Sequence, residues 1–286
     1  MDAAVGIIAG AGRFPFMVAR GARRAGQRVV VIGLRGLADR ALREHILASP
    51  QGADRFYWSG VVRLGRWIRI FRREGVRRAV MAGSVRKREM YGRFRLLRYL
   101  PDWTSIKVWF FRARDKRNDS LLSAAADEMA LRGVMLESCV QYCAESLAGQ
   151  GVLTRRSPPP GVLKDIEFGW RIAKELGRLD IGQAVAVKEQ EVIAVEAIEG
   201  TDEMIRRAGQ LCRVGGWTLV KAAKPNQDMR FDVPTVGPET IRHLAEQRAA
   251  ALVVEAGKTV IIDLPETLAL AERADISVIG RWNDAP

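Results

Sequence analysis

Val5-Gly6-Ile7-Ile8-Ala9-Gly10-Ala11-Gly12-Arg13-Phe14-Pro15 decides the architecture of this chain. A short apolar run bounded by glycine reads as a buried strand rather than a helix. The small residues turn the chain, and a helix is predicted from about Phe14 to Arg24, with Gly26 as its stop. Arg28-Val29-Val30-Val31-Ile32-Gly33-Leu34 then repeats the strand pattern. Strand, glycine turn, helix and strand in that order make the unit of a parallel sheet.

The same alternation continues outward. A helix from about Val62 to Glu74 is stopped by Gly75 and leads into the strand Ala79-Val80-Met81-Ala82, which Gly83-Ser84 breaks. A basic, aromatic segment spans Arg86 to Arg117. Asn118-Asp119-Ser120 can cap a helix reaching Arg132, and Val134 to Leu136 reads as another strand. This predicts an α/β fold with a doubly wound parallel sheet. Ala148 to Leu163, centred on Thr154-Arg155-Arg156-Ser157-Pro158-Pro159-Pro160-Gly161, reads as a linker, because three prolines cannot continue a helix or a central strand. The expected division is an N-terminal domain at 1–147, a linker at 148–163 and a smaller α/β domain at 164–286. In the latter, helices are expected at Asp165–Leu176, from about Asp202, from Pro238 and at Pro265–Ala274. Strands are expected at Ala184–Lys188, Val192–Ile198, Trp217–Ala222, Ala251–Glu255, Thr259–Asp263 and Ile276–Gly280.

Charge is distributed unevenly. The 286 residues hold 46 Lys and Arg against 33 Asp and Glu, a formal charge of +13. Residues 1–117 hold 27 basic and 8 acidic residues, whereas 118–286 hold 19 and 25. Arg63, Arg66, Arg69 and Arg73 fall on one face of the 62–74 helix, with Trp67, Ile70 and Phe71 interleaved. Such asymmetry suits an anionic partner: nucleic acid, an anionic membrane or a phosphorylated substrate. A solvated charged face over a core-facing aromatic stripe explains any single helix better, and it is the regional total that favours an anionic partner. His45 and His243 are the only histidines, and Cys139, Cys143 and Cys212 form no CxxC pair. That argues against a Cys/His zinc site and leaves catalysis to carboxylates and lysines. No apolar run reaches the roughly 18 residues of a membrane span. Scattered cysteines and a start that opens straight into a strand fit a cytoplasmic setting.

Three places can carry chemistry. Gly10, Ala11 and Gly12 join a strand to a helix whose N-terminus can receive phosphate, though Pro15 stands where a dinucleotide fingerprint needs its third glycine. Gly83 and Ser84 end a parallel strand and can face the same cleft. Ordinary turns explain both equally well. Glu196, Glu199, Thr201 and Asp202 fall between a strand and a helix, and Lys221 and Lys224 follow another strand, ahead of Gln227-Asp228-Met229-Arg230-Phe231-Asp232-Val233-Pro234. Carboxylates beside lysines suit phosphoryl chemistry, the former holding a divalent metal or orienting water, the latter neutralising phosphate. Helix capping alone would also account for Thr201 and Asp202.

At these residues the chain resembles the UDP-2,3-diacylglucosamine pyrophosphatases of the lipid A pathway. The resemblance rests on Gly6–Pro15, Ala82-Gly83-Ser84-Val85, Gly177-Arg178-Leu179-Asp180-Ile181-Gly182-Gln183 and Val195-Glu196-Ala197-Ile198-Glu199-Gly200-Thr201-Asp202. It continues through Lys221-Ala222-Ala223-Lys224-Pro225-Asn226-Gln227-Asp228, Asp232-Val233-Pro234-Thr235-Val236-Gly237 and Glu255-Ala256-Gly257. The resemblance implies a Rossmann-like N-terminal parallel-sheet domain, a smaller C-terminal mixed α/β domain, substrate between them and a homodimer. It implies hydrolysis of UDP-2,3-diacylglucosamine to UMP and 2,3-diacylglucosamine 1-phosphate (lipid X), with water attacking the α-phosphorus and magnesium (Mg2+) in support. The essential aspartate of the family's Arg-x-Asp-x-Pro-Thr motif falls on Asp232. Asp228, Glu196 and Asp202 are then candidates to share metal or water with it, Lys221 and Lys224 to bind the diphosphate, and Gly10, Ala11, Gly12, Gly83, Ser84 and Thr201 to lie at the substrate. One departure stands out: Lys116-Arg117-Asn118-Asp119 replaces the usual Gly-Asp-Asp and leaves one carboxylate of that pair. Residues 60–117 are expected to dock on the anionic inner leaflet of the inner membrane, with no nucleic acid as partner. The rivals are a non-catalytic membrane- or nucleic-acid-binding module and a pyrophosphatase for another nucleotide sugar.

Overall fold

The computed structural model describes residues 4–84, 100–113, 118–225 and 227–282. Val85, most of the Arg86–Arg117 segment and Asn226 lie outside the described residues. The chain divides into two compact units, Met1–Cys143 with Asp228–Asp232, and Ala144–Gln227 with Val233–Pro286.

Unit one runs β1 (Ala4–Ala9), α1 (Phe14–Arg24), β2 (Arg28–Leu34), α2 (Leu42–Ala48), β3 (Arg55–Ser59), α3 (Leu64–Arg73) and β4 (Arg78–Ala82). It continues with α4 (Trp103–Lys107), which passes into a wider turn at Val108–Arg112, then α5 (Asn118–Leu131) and β5 (Met135–Glu137). The five strands form a sheet in the order β3-β2-β1-β4-β5, parallel throughout. Val5, Ile7, Ile8 and Val29 through Ile32 are fully buried, which is why the central strands read as unbroken apolar runs. Trp67, Ile68 and Phe71 of α3 cover one face with Met129 of α5 and Leu136.

Two elements of this unit escape the sequence pattern. β3 is the edge strand, with Arg55 exposed and Phe56, Tyr57 and Trp58 half-buried, so it shows neither a continuous apolar run nor clean alternation. α2 has seven residues and buries only Leu42 and Ile46, too little periodicity to stand out from a loop.

Unit two runs β6 (Gly151–Val152), α6 (Pro160–Arg178), β7 (Ala184–Lys188), β8 (Glu191–Val195), α7 (Thr201–Leu211) and β9 (Thr218–Lys221). β10 (Thr235–Val236), α8 (Pro238–Glu246), β11 (Ala251–Glu255), β12 (Val260–Ile261), α9 (Leu264–Arg273) and β13 (Ser277–Arg281) complete it. The main sheet has the order β6-β13-β11-β9-β7-β8, and β10 pairs with β12 separately. β9, β11 and β13 are mutually parallel, while β6, β7 and β8 each run antiparallel to a neighbour. The expected mixed α/β architecture is therefore present. α6 begins at Pro160 rather than at Asp165: its proline occupies the first helical turn, where a fixed φ suits the helix and no N–H is missed. Trp217 is fully buried and its indole N–H donates to the Gln247 carbonyl at 2.9 Å.

Candidate active site

In unit one the strand order reverses between β1 and β4, which makes their carboxyl ends the topological switch point of the sheet. Gly10–Gly12 and Gly83–Ser84 lie there and are bonded to one another. Gly10 N–H donates to the Ala82 carbonyl at 2.8 Å, and Ala11 and Ser84 exchange N–H···O bonds of 3.0 Å. A Cβ on Gly10 would stand 2.7 Å from Ser84 O, and one on Gly83, at φ +98°, 2.7 Å from Ala11 O. These two glycines therefore let the turns approach each other. Gly12 differs: at φ +90° it has nothing within 4 Å of a built Cβ. Arg13 at the N-cap makes no side-chain cap bond and the first turn of α1 holds no acidic residue, so that turn itself supplies no negative charge to the helix dipole.

In unit two a buried polar chain sits at the carboxyl end of β9. Lys221 and Glu196 are each 7% exposed. Lys221 Nζ donates to Thr201 Oγ1 and to the Thr235 carbonyl, both at 3.1 Å. Thr201 Oγ1 in turn donates to Glu196 Oε1 at 2.8 Å, and Gln183 N–H reaches Glu196 Oε2 at 3.4 Å. Thr201 thus links an ammonium to a carboxylate, which is how two charges can be buried together without direct contact. Gly200, at φ +88°, turns the chain so that Thr201 opens α7. Asp202 is exposed in the first turn of that helix, where it favours the dipole. Glu199 binds Arg207 at 2.6 Å; burial pushes its carboxyl up, but its own and Ala197's N–H groups and Arg207 pull it below the usual range.

The remaining residues fall on the loop after β9. Lys224 is ion-paired with Asp180, and its N–H is bound by Gln227 Oε1 at 2.9 Å. Asp228 accepts Arg230 Nε at 3.0 Å and Nη2 at 2.7 Å, as well as the Arg230 N–H at 3.0 Å. The bonded Arg230 guanidinium holds the Asp228 carboxyl below the ordinary carboxylate range. Phe231 packs on the core of unit one. Asp232 is half-buried and its N–H donates to the Asp228 carbonyl at 3.1 Å.

The structure thus brings Glu196, Thr201 and Lys221 into one network, and Gly10, Ala11 and Gly12 against Gly83 and Ser84. It couples Asp228 to Arg230 and Lys224 to Asp180. Sequence reasoning did not single out Asp180, Arg230 or the Thr235 carbonyl, although each lies inside a stretch quoted above. Nor did it single out Glu255, quoted only within Glu255-Ala256-Gly257, which is 1% exposed. Glu255 is held by Lys174 Nζ at 3.1 Å, the Ala223 N–H at 2.8 Å and Lys258 Nζ at 3.0 Å. Burial, with Cys143 beside it, pushes the Cys139 thiol up to about 12, which disfavours its thiolate. Among the described residues no group of three or more His, Cys, Asp or Glu side chains could hold a metal ion.

A parallel-sheet unit with a glycine-lined switch point, joined in one chain to a mixed-sheet unit with a buried lysine, defines an α/β protein suited to a phosphorylated ligand. Residues 4–146 match the LpxI N-terminal domain family and residues 149–279 the LpxI C-terminal domain family, and the chain belongs to the LpxI family. It is 34% identical over 287 residues, 96% of each chain, to the UDP-2,3-diacylglucosamine pyrophosphatase LpxI of Caulobacter vibrioides. Among solved structures, the biotin carboxylase domain of a thermophilic 2-oxoglutarate carboxylase bound to ADP has a TM-score of 0.25 at 12% identity, covering 73% of this chain and 32% of that one. The corresponding Hydrogenobacter thermophilus domain with ADP scores 0.22 at 16% identity, covering 73% and 41%. These scores are too low to bear on the fold.

Proposed function

We propose that the protein hydrolyses UDP-2,3-diacylglucosamine to UMP and 2,3-diacylglucosamine 1-phosphate in lipid A biosynthesis, with water attacking the α-phosphorus. The observation that carries this reading is the identity of 34% with the Caulobacter pyrophosphatase across 96% of both chains, spanning both family domains.

In this reading Asp232 is the catalytic carboxylate, orienting water or holding magnesium. The bidentate Arg230–Asp228 pair fixes the turn that presents it. Asp228 accepts Arg230 at both oxygens, and Glu196 accepts Thr201 and Gln183; Asp232 is proposed as a metal ligand from its place in the Arg-x-Asp-x-Pro-Thr motif. Magnesium needs no protein cage, since it binds through one or two carboxylates together with substrate phosphates, and this donor set fits it. When bound, it would neutralise charge on the diphosphate. Lys221 has spent two of its three donors on Thr201 and Thr235, and the third would serve a phosphate oxygen. The Asp180 partner steadies Lys224 at the same loop. Gly12 would admit the nucleotide backbone-close. We further propose a homodimer acting on the cytoplasmic face of the inner membrane, where the acylated substrate resides.

Purified protein with magnesium and the lipid substrate should release UMP, and EDTA should stop the release. Absence of UMP with magnesium present would contradict the proposal.

A further inference from the structure

The segment Trp103–Arg112 holds large apolar side chains in water. Trp103 and Phe111 are 80% exposed, Phe110 69% and Trp109 44%, with Leu100 just before them at 56%. The other exposed large apolar residues described in unit one, Leu47, Leu131 and Met135, are not neighbours in sequence, which is ordinary for a soluble surface.

This segment is anchored. The Asp102 carboxylate caps α4 by accepting Ser105 N–H at 2.9 Å and also accepts Arg66 N–H from α3 at 3.0 Å. Ser105 Oγ accepts the Leu64 N–H at 3.0 Å, and Asp102 N–H donates to the Val62 carbonyl at 3.1 Å. Thr104 and Val108, one helical turn apart, are buried, Val108 within the core of unit one. Trp103, Phe110 and Phe111 follow the complementary spacing and stand outward with Lys107. The fold therefore fixes these aromatics at the surface.

We propose that Trp103–Arg112 is a membrane-docking surface, its aromatics entering the headgroup region of an anionic bilayer while the flanking cations meet lipid phosphates. The proposal rests on the reading above that the substrate is a membrane lipid. Charge selects the occupant. Residues 60–84 and 100–113 contain nine Lys or Arg and two acidic residues, and Arg66, Arg69, Arg72, Lys107 and Arg112 are exposed. One of the two acids, Asp102, is spent on capping. A second copy presenting the same face would meet like charge, whereas an anionic bilayer attracts it. Tryptophan and phenylalanine beside basic side chains are the composition of a segment that lies in the interface plane. No helix among the described residues is long and apolar enough to cross a membrane, so the segment would lie on the bilayer.

The test is flotation of the full-length protein with phosphatidylcholine vesicles, with and without phosphatidylglycerol. Wild type should bind the anionic vesicles, and Trp103→Ser/Phe110→Ser/Phe111→Ser should lose about ten-fold or more of that binding. A second variant, Lys107→Glu/Arg112→Glu, spares the aromatics and should weaken the preference for phosphatidylglycerol. UMP release from detergent-dispersed substrate should be unchanged in both variants, while release from vesicle-borne substrate should fall. Wild-type flotation by both variants would overturn the proposal. So would a triple variant that floats normally but sediments as a monomer where wild type is a dimer, since the face would then be a subunit interface. Binding and hydrolysis are read separately: a wild type that floats but releases no UMP overturns the proposed activity and leaves the docking surface standing.

Discussion

The glycine turns of unit one and the Lys221–Thr201–Glu196 chain of unit two occupy equivalent places, each at the carboxyl ends of parallel strands. They are built from different material. The first consists of backbone, with Gly10 and Gly83 serving mutual approach and Gly12 left open. The second consists of buried charge joined through a hydroxyl. A backbone crevice can shape and hydrogen-bond a ligand but cannot move a proton. A buried lysine–carboxylate chain can meet phosphate charge, and its cost in desolvation is tolerable only when each member is satisfied. On the proposed reading, the first region would serve recognition and the second electrostatics, with Asp232 as the proposed reacting carboxylate.

Six substitutions bear on that contrast. Asp232→Ala should lower kcat by about a thousand-fold or more while leaving the melting curve near wild type; substantial turnover would remove Asp232 from the chemistry. Lys221→Met leaves the Glu196 carboxylate buried without its countercharge, and should destabilise the protein by about 3 kcal/mol in denaturant titrations. Adding Glu196→Gln should restore much of that stability but not the activity. If the single and double variants were equally unstable, the two residues would not be coupled.

In the backbone region, Gly83→Ala forces a Cβ to 2.7 Å from a carbonyl oxygen at positive φ and should cost about 2 kcal/mol. Gly12→Ala meets no atom and should cost only about 1 kcal/mol of backbone strain. A rise in KM at Gly12 beyond that small cost would mark ligand contact; equal stability losses at the two glycines would erase the distinction drawn between them. The smallest effect concerns pH. The Asp228 carboxyl is depressed in the folded state by Arg230, so its contribution is full above the unfolded value, near 4, and fades as pH falls through the lower folded value. Asp228→Asn should flatten this acid limb of a stability–pH curve by under about 1 kcal/mol. An unchanged limb would mean that the pair does not stiffen the loop.

Fold and site differed in how far they could be read from sequence. β1, α1, β2 and β4 were legible because burial on both faces forces continuous apolar runs ended by glycine. The edge strand Arg55–Ser59 and the short helix Leu42–Ala48 were not, since neither buries enough to leave a period. At the site, Glu196, Thr201 and Lys221 were legible as polar residues at strand ends, but their connection through one hydroxyl is set by the β7–β9 pairing and the turn at Gly200. The partners Asp180 and Arg230 needed the folded chain, because ion pairing between loop residues leaves no periodic trace.

Hydrolysis in H218O tests the central claim most directly. Attack of water at the α-phosphorus predicts the heavy oxygen in the phosphate of UMP and none in 2,3-diacylglucosamine 1-phosphate, read by mass spectrometry or by the isotope shift in phosphorus NMR. Label in the sugar phosphate, with none in UMP, would contradict the account.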